Sequence, residues 1–112
     1  MTNMKLTRKQ AQVILDVTFP EYNGRKIALV CADKITFWDT NWGGGTRNQY
    51  KAITYNGQVA QLPVPAPWVN PFEGTTFDMK PGLAIVTHSI FCGKDCGITI
   101  TIHPADMPKW LN

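Results

Sequence analysis

Near the carboxyl end of this 112-residue chain, Ile98, Ile100 and Ile102 alternate with Thr99 and Thr101. A strict period of two puts the isoleucines on one face of a strand and the threonines on the other, so this segment belongs to a sheet with one apolar face. Leu83 to Phe91 is a second run rich in β-branched and aromatic residues. The two runs read as a hairpin around a short polar turn. That hairpin carries both histidines and two of the three cysteines. An odd-length turn at Asp95-Cys96-Gly97 puts Val86, His88, Ile90 and Cys92 on the isoleucine face, which matches apolar to apolar better than Thr87, Ser89 and Phe91 would. His103 falls on the threonine side, so His88 and His103 point to opposite faces.

Upstream of the hairpin, Thr7 to Asp16 has the marks of a helix start. Thr7 and Gln10 form a capping box, and Val13, Ile14 and Val17 make a narrow apolar stripe. Pro20 ends the helix at Phe19, and Asn23-Gly24 is a turn signal. The chain then reads as strands: Lys26 to Cys31, Lys34 to Trp38, Arg47 to Tyr55, Gln58 to Leu62 and Thr75 to Met79. Asn56-Gly57 predicts a two-residue hairpin turn, with Tyr55 opposite Gln58 and Ile53 opposite Ala60. Lys80-Pro81-Gly82-Leu83 fits a type II turn. Pro63, Pro65, Pro67 and Pro71 keep the segment from Leu62 to Phe72 out of any central strand.

These elements predict one α+β domain over residues 1–112: an N-terminal helix packed on a bent antiparallel sheet, or a partly open barrel, of five to seven strands. The expected core is Val13, Ile14, Val17, Ile27, Leu29, Ile35, Phe37, Ile53, Val86, Ile90, Ile98, Ile100 and Ile102. Hydrophobic residues at 44% and charged residues at 17% suit a globular protein. No apolar run approaches the ~20 residues of a membrane span, so no membrane association is expected. The polar N-terminus does not read as a secretory signal, and an odd number of cysteines fits a reducing compartment. The expected location is the cytoplasm.

Charge is unevenly spread. Residues 1–51 carry eight Lys or Arg and four Asp or Glu, against three and four in residues 52–112. A solvated basic face is the simplest reading. The alternative is weak nucleic-acid binding through Lys5, Arg8, Lys9, Arg25 and Lys26.

Other candidate sites divide into a loop and a cluster. Trp42-Gly43-Gly44-Gly45-Thr46-Arg47 brings three glycines, whose amides can approach an anion, beside an aromatic and a guanidinium. It lacks the Lys-Ser/Thr ending of a phosphate loop, and a strand follows it. With Trp68 in the proline-rich segment, Trp42, Gly43, Gly44, Gly45 and Arg47 form the expected recognition surface, because exposed aromatics and Arg dominate binding energy. The cluster is a third reading, a metal or redox site drawn from Cys31, His88, Cys92 and Cys96. The opposed histidines and the wide Cys92 to Cys96 spacing argue against zinc. A Cys92–Cys96 disulfide fits geometrically but not a reducing compartment. Ser89, mid-strand, is not a nucleophile elbow, and neither an enzyme nor a cofactor is expected.

Two segments carry a resemblance. Trp42-Gly43-Gly44-Gly45-Thr46-Arg47-Asn48-Gln49-Tyr50, followed by His88 to Ile98 and His103-Pro104, resembles small uncharacterised proteins of phages and bacterial mobile elements. The resemblance covers residues 39–111 and brings no chemistry with it. It implies an intracellular accessory protein; the recognition surface, independently, is expected to meet a protein partner.

Overall fold

A computed structural model describes residues 2–4, 8–24, 26–37, 46–54, 56–61, 75–91 and 94–106. Their order is β1 (Thr2–Met4), α1 (Arg8–Thr18), β2 (Ile27–Cys31), β3 (Lys34–Phe37), β4 (Thr46–Thr54), β5 (Val59–Ala60), β6 (Thr75–Asp78), β7 (Leu83–Phe91) and β8 (Lys94–Ile102), closed by a 3₁₀ turn at Pro104–Asp106. Among the described residues the main sheet has six strands in the order β1-β2-β8-β7-β4-β5, and β3 pairs with β6 in a separate ribbon. The sheet is open, with β1 and β5 at its edges, and not a barrel.

The α+β class holds, but the expectation of an all-antiparallel sheet does not. β2 runs parallel to β8, with Leu29 beside Ile100 and Cys31 beside Ile102, while the other pairs are antiparallel. Hairpin logic predicts pairing only between successive strands. Here β8 lies between β7, its neighbour in sequence, and β2 from the other end of the chain. The isoleucine strand is thereby the centre of the sheet. Ile98, Ile100 and Ile102 are all buried, each worth roughly 1.5–3 kcal/mol of transfer energy.

Each face of the sheet has its own cover. Ala11, Ile14 and Leu15 of α1 join Leu29, Cys31, Ile53, Ala84, Val86 and the three isoleucines in one core. On the opposite face Tyr50, Ala52, Met79 and Ile85 pack with Ile35 and Phe77 from the β3/β6 ribbon. The sheet is sandwiched between a helix and a ribbon.

The helix buries a different stripe from the expected one. Ala11, Ile14, Leu15 and Thr18 are buried, an i, i+3, i+4, i+7 set. Val13 is 63% exposed, because it stands two residues, roughly 200° of helical turn, from both Ala11 and Leu15. Val17 lies at the margin of the core. Thr18 can be buried because its hydroxyl donates to the Ile14 carbonyl at 2.8 Å. The proposed cap, Thr7, lies outside the described residues, and nothing is described of the Phe37 side chain.

Two turns also differ from expectation. Thr54 N donates to the Gln58 carbonyl and Gly57 N to the Thr54 carbonyl. The hairpin loop is therefore three residues, and Ile53 pairs with Val59 while Ala52 pairs with Ala60. Gly57 at φ 88° supplies the left-handed residue that three-residue loops need. In the histidine hairpin, β7 and β8 stay paired through Phe91 and Lys94, so only residues 92–93 connect them. Cys96 is an extra residue between the Ile90–Asp95 and Ser89–Gly97 pairs, a β-bulge. An unbulged ladder from this connection would set Thr87 opposite Ile98. The bulge restores the expected parity, and His88 pairs with Ile98. Gly97 permits it: its φ is 140°, and a Cβ there would stand 3.3 Å from Lys26 Cβ.

The type II turn forms as the sequence predicts. Gly82 has φ 93°, and Leu83 N donates to the Lys80 carbonyl at 3.4 Å. The turn is clamped from a distance. Asp106, only 1% exposed, accepts from Gly82 N at 2.5 Å. Among the described residues no helix is long and apolar enough to cross a membrane.

A candidate binding cleft at the end of the helix

Where α1 stops, the chain wraps around one side chain of the sheet. Phe19 N still donates to Leu15 O, and Tyr22 N donates to Phe19 O, so the helix ends in a tight turn at Pro20. Phe19 and Tyr22 are thereby both brought against His88. Both rings meet the imidazole edge-on, with centroids at 5.2 and 5.3 Å and interplanar angles of 66° and 79°. The Tyr22 hydroxyl donates to the Lys26 carbonyl at 2.9 Å. Its ring lies where a Cβ on Gly24 would be, so the Asn23-Gly24 turn admits the ring only because residue 24 is glycine.

Strand β4 forms the adjacent wall. Gln49 pairs with His88 and Lys51 with Val86, so both stand on the helix-side face. Lys51 Nζ donates to the Thr18 carbonyl at 2.6 Å and stands 4.7 Å above the centre of the Phe19 ring. It therefore caps the carboxyl end of α1, where carbonyls lack intrahelical donors and the dipole favours a cation. Between these elements lies a cleft of about 470 Å³, lined by Thr18, Phe19, Pro20, Glu21, Tyr22, Gln49, Lys51, His88 and Ile90. That is the size of a pocket for a small organic molecule. Its floor is the buried His88, 8% exposed, and Lys51 and Glu21 are exposed.

The sequence singled out His88 and the neighbourhood of Arg47, and both lie along the β4–β7 pairing. Arg47 pairs with Ile90, so Arg47, Gln49 and Lys51 occupy one period-two row. Nothing is described of the Arg47 side chain. Trp42, Gly43, Gly44, Gly45 and Trp68 lie outside the described residues, as do Lys5, Arg25 and Cys92. Of the basic set, Arg8 begins α1, and Lys9 and Lys26 are exposed.

Two members of the metal alternative, Cys31 and His88, stand apart. Cys31 pairs with Ile102 and His88 with Ile98, on opposite sides of β8 and four positions apart. That separation is about 13 Å along the strand alone, whereas zinc ligands meet within ~2.3 Å of one ion. Cys31 is buried in the helix-side core, and burial pushes its thiol up from the ordinary value. Cys96 is exposed. Among the described residues no group of three His, Cys, Asp or Glu is arranged to hold a metal. His103 is turned to a local task, its Nδ1 accepting from Ala105 N at 3.1 Å in the 3₁₀ turn. Ser89 donates to Asn48 Oδ1 at 2.9 Å, across the strands.

Comparison of the chain with protein-family models, curated proteins and solved structures finds no match.

Sequence reasoning found His88 but missed Phe19, Tyr22, Gln49 and Lys51 as its surroundings. One signal was present. Gln49 and Lys51 hold the positions on β4 that share a face with Ile53, and polar residues at core-facing positions mark the place where the cover of a sheet ends.

Proposed function

We propose that this chain is a non-enzymatic binding protein, an accessory protein of the phage or mobile-element kind. It acts in the cytoplasm and recognises a protein partner with the surface made of the glycine-rich loop, Trp42, Arg47 and the proline-rich segment at Trp68. The carrying observation is the construction of the cleft. Two of its polar side chains are tied to the backbone, Lys51 to Thr18 and Tyr22 to Lys26, and His88 packs against the Phe19 and Tyr22 rings. Side chains held this way form a preformed surface, which favours recognition because little order must be gained on binding. The glycine loop, Gly43 to Gly45, precedes β4 in the sequence.

The test is affinity capture from extracts of the source cells, using the wild-type chain and the Trp42→Ala and Arg47→Ala variants. A partner retained by wild type and weakened by more than ~1 kcal/mol in each folded variant supports the reading. Equal retention by all three refutes the proposed surface.

A further inference from the structure

We infer that the cleft beside His88 takes a single carboxylate attached to a flat apolar group. This deepens the binding reading and rests on it. Among the described lining residues Lys51 is the one ammonium or guanidinium, and it is held in a fixed place. Lys51 uses one N–H on the Thr18 carbonyl and is held over the Phe19 ring. An ammonium has three donors, so two remain for a ligand. Restrained in this way, the ammonium loses little rotamer freedom when a carboxylate arrives. Gln49, the next residue of the row, adds an amide that can donate or accept.

The remaining lining sets the rest of the ligand. Phe19, Pro20, Tyr22 and Ile90 are apolar surfaces around the imidazole, which suits a planar apolar body. Glu21 also lines the cleft and is exposed. Its negative charge opposes a second charge on the ligand. With one cation and one carboxylate among the described lining residues, the inferred ligand carries one negative charge rather than two. The chemistry is shared by a free aromatic acid and by the carboxyl end of a chain finishing in an aromatic residue.

Chemical-shift mapping on the isotopically labelled full chain tests this at physiological salt. The probes are 3-phenylpropionate, acetyl-Ala-Ala-Phe with a free carboxyl end, the amide of each, and 2-phenylethylamine. Saturable shifts at His88, Gln49 and Ile90 are expected with at least one acid, with affinity weakened about tenfold in its amide. Lys51→Met is expected to lose about tenfold as well, and Ile90→Trp to lose binding by filling the cleft while leaving Lys51 in place. Binding by the free acid alone identifies a small-molecule site, and binding by the peptide acid identifies a chain end. Equal binding of acid and amide, tighter binding of the amine, or shifts mapping away from the cleft overturns the inference. So does unaltered acid binding in a folded Lys51→Met variant. Any of these leaves the partner-binding reading to its own capture experiment, which depends on Trp42 and Arg47.

Discussion

Replacing Lys51 with methionine should destabilise the protein by about 1 kcal/mol, although the side chain is exposed. Methionine keeps most of the aliphatic stem and removes the charge. Three favourable contributions disappear with it. The hydrogen bond to Thr18 O, at 2.6 Å from a charged donor, belongs to a class worth roughly 1.5–3 kcal/mol when sheltered. The position 4.7 Å above the Phe19 ring adds roughly 0.5–1 kcal/mol at an exposed site. The helix C-terminus adds roughly 0.3–1 kcal/mol. Against these stands the rotamer entropy regained by freeing a lysine, up to about 2 kcal/mol, and water shares the hydrogen bond. The net loss is of order 1 kcal/mol, or about 4 °C in melting temperature for a domain of this size. The assay is thermal and urea unfolding of wild type, Lys51→Met, Phe19→Leu and the double variant. A coupling of about 0.5 kcal/mol or more between positions 19 and 51 is expected, because the cation and the ring are in contact. Wild-type stability in Lys51→Met, or a coupling indistinguishable from zero, refutes the capping geometry and removes the fixed ammonium from the cleft.

Four further outcomes follow from the packing. Val13→Lys should change stability by less than about 0.5 kcal/mol, while Leu15→Ala should cost about 2–5 kcal/mol; urea unfolding reads both. Gly97→Ala should cost about 1–3 kcal/mol, since φ 140° strains any Cβ and Lys26 stands in contact, and backbone amide shifts at Ile98 should report the disturbed bulge. Native-state alkylation followed by peptide mass mapping should label Cys96 much faster than Cys31, because a thiol raised by burial is neither accessible nor ionised. The sign for stability follows: Cys31 contributes fully below its unfolded value, and that contribution is lost as pH rises through the folded one. An alkaline pH series on Cys31→Ala should therefore show a shallower decline than wild type.

The period-two pattern of Ile98, Ile100 and Ile102 determined a one-sidedly buried strand, because alternation is a property of the backbone itself. The turn at Lys80 to Leu83 was equally local, since proline and glycine set the two central dihedrals that a type II turn requires. That His88 shares the isoleucine face was also legible, although by way of a turn that does not form: a shorter connection and a bulge at Cys96 reach the same parity. The helix was legible as a helix but not in its orientation. Val13 and Leu15 are both apolar, and only the position of the sheet decides which of them is buried.

Tertiary structure alone decided the rest. The parallel pairing of β2 with β8 joins residues from opposite ends of the chain, and short-range signals carry no information about such partners. The cleft has the same origin. Phe19 and Tyr22 come from the end of α1, Gln49 and Lys51 from β4, and His88 and Ile90 from β7. No spacing links them in sequence, because what brings them together is the point at which a three-turn helix ceases to cover the sheet.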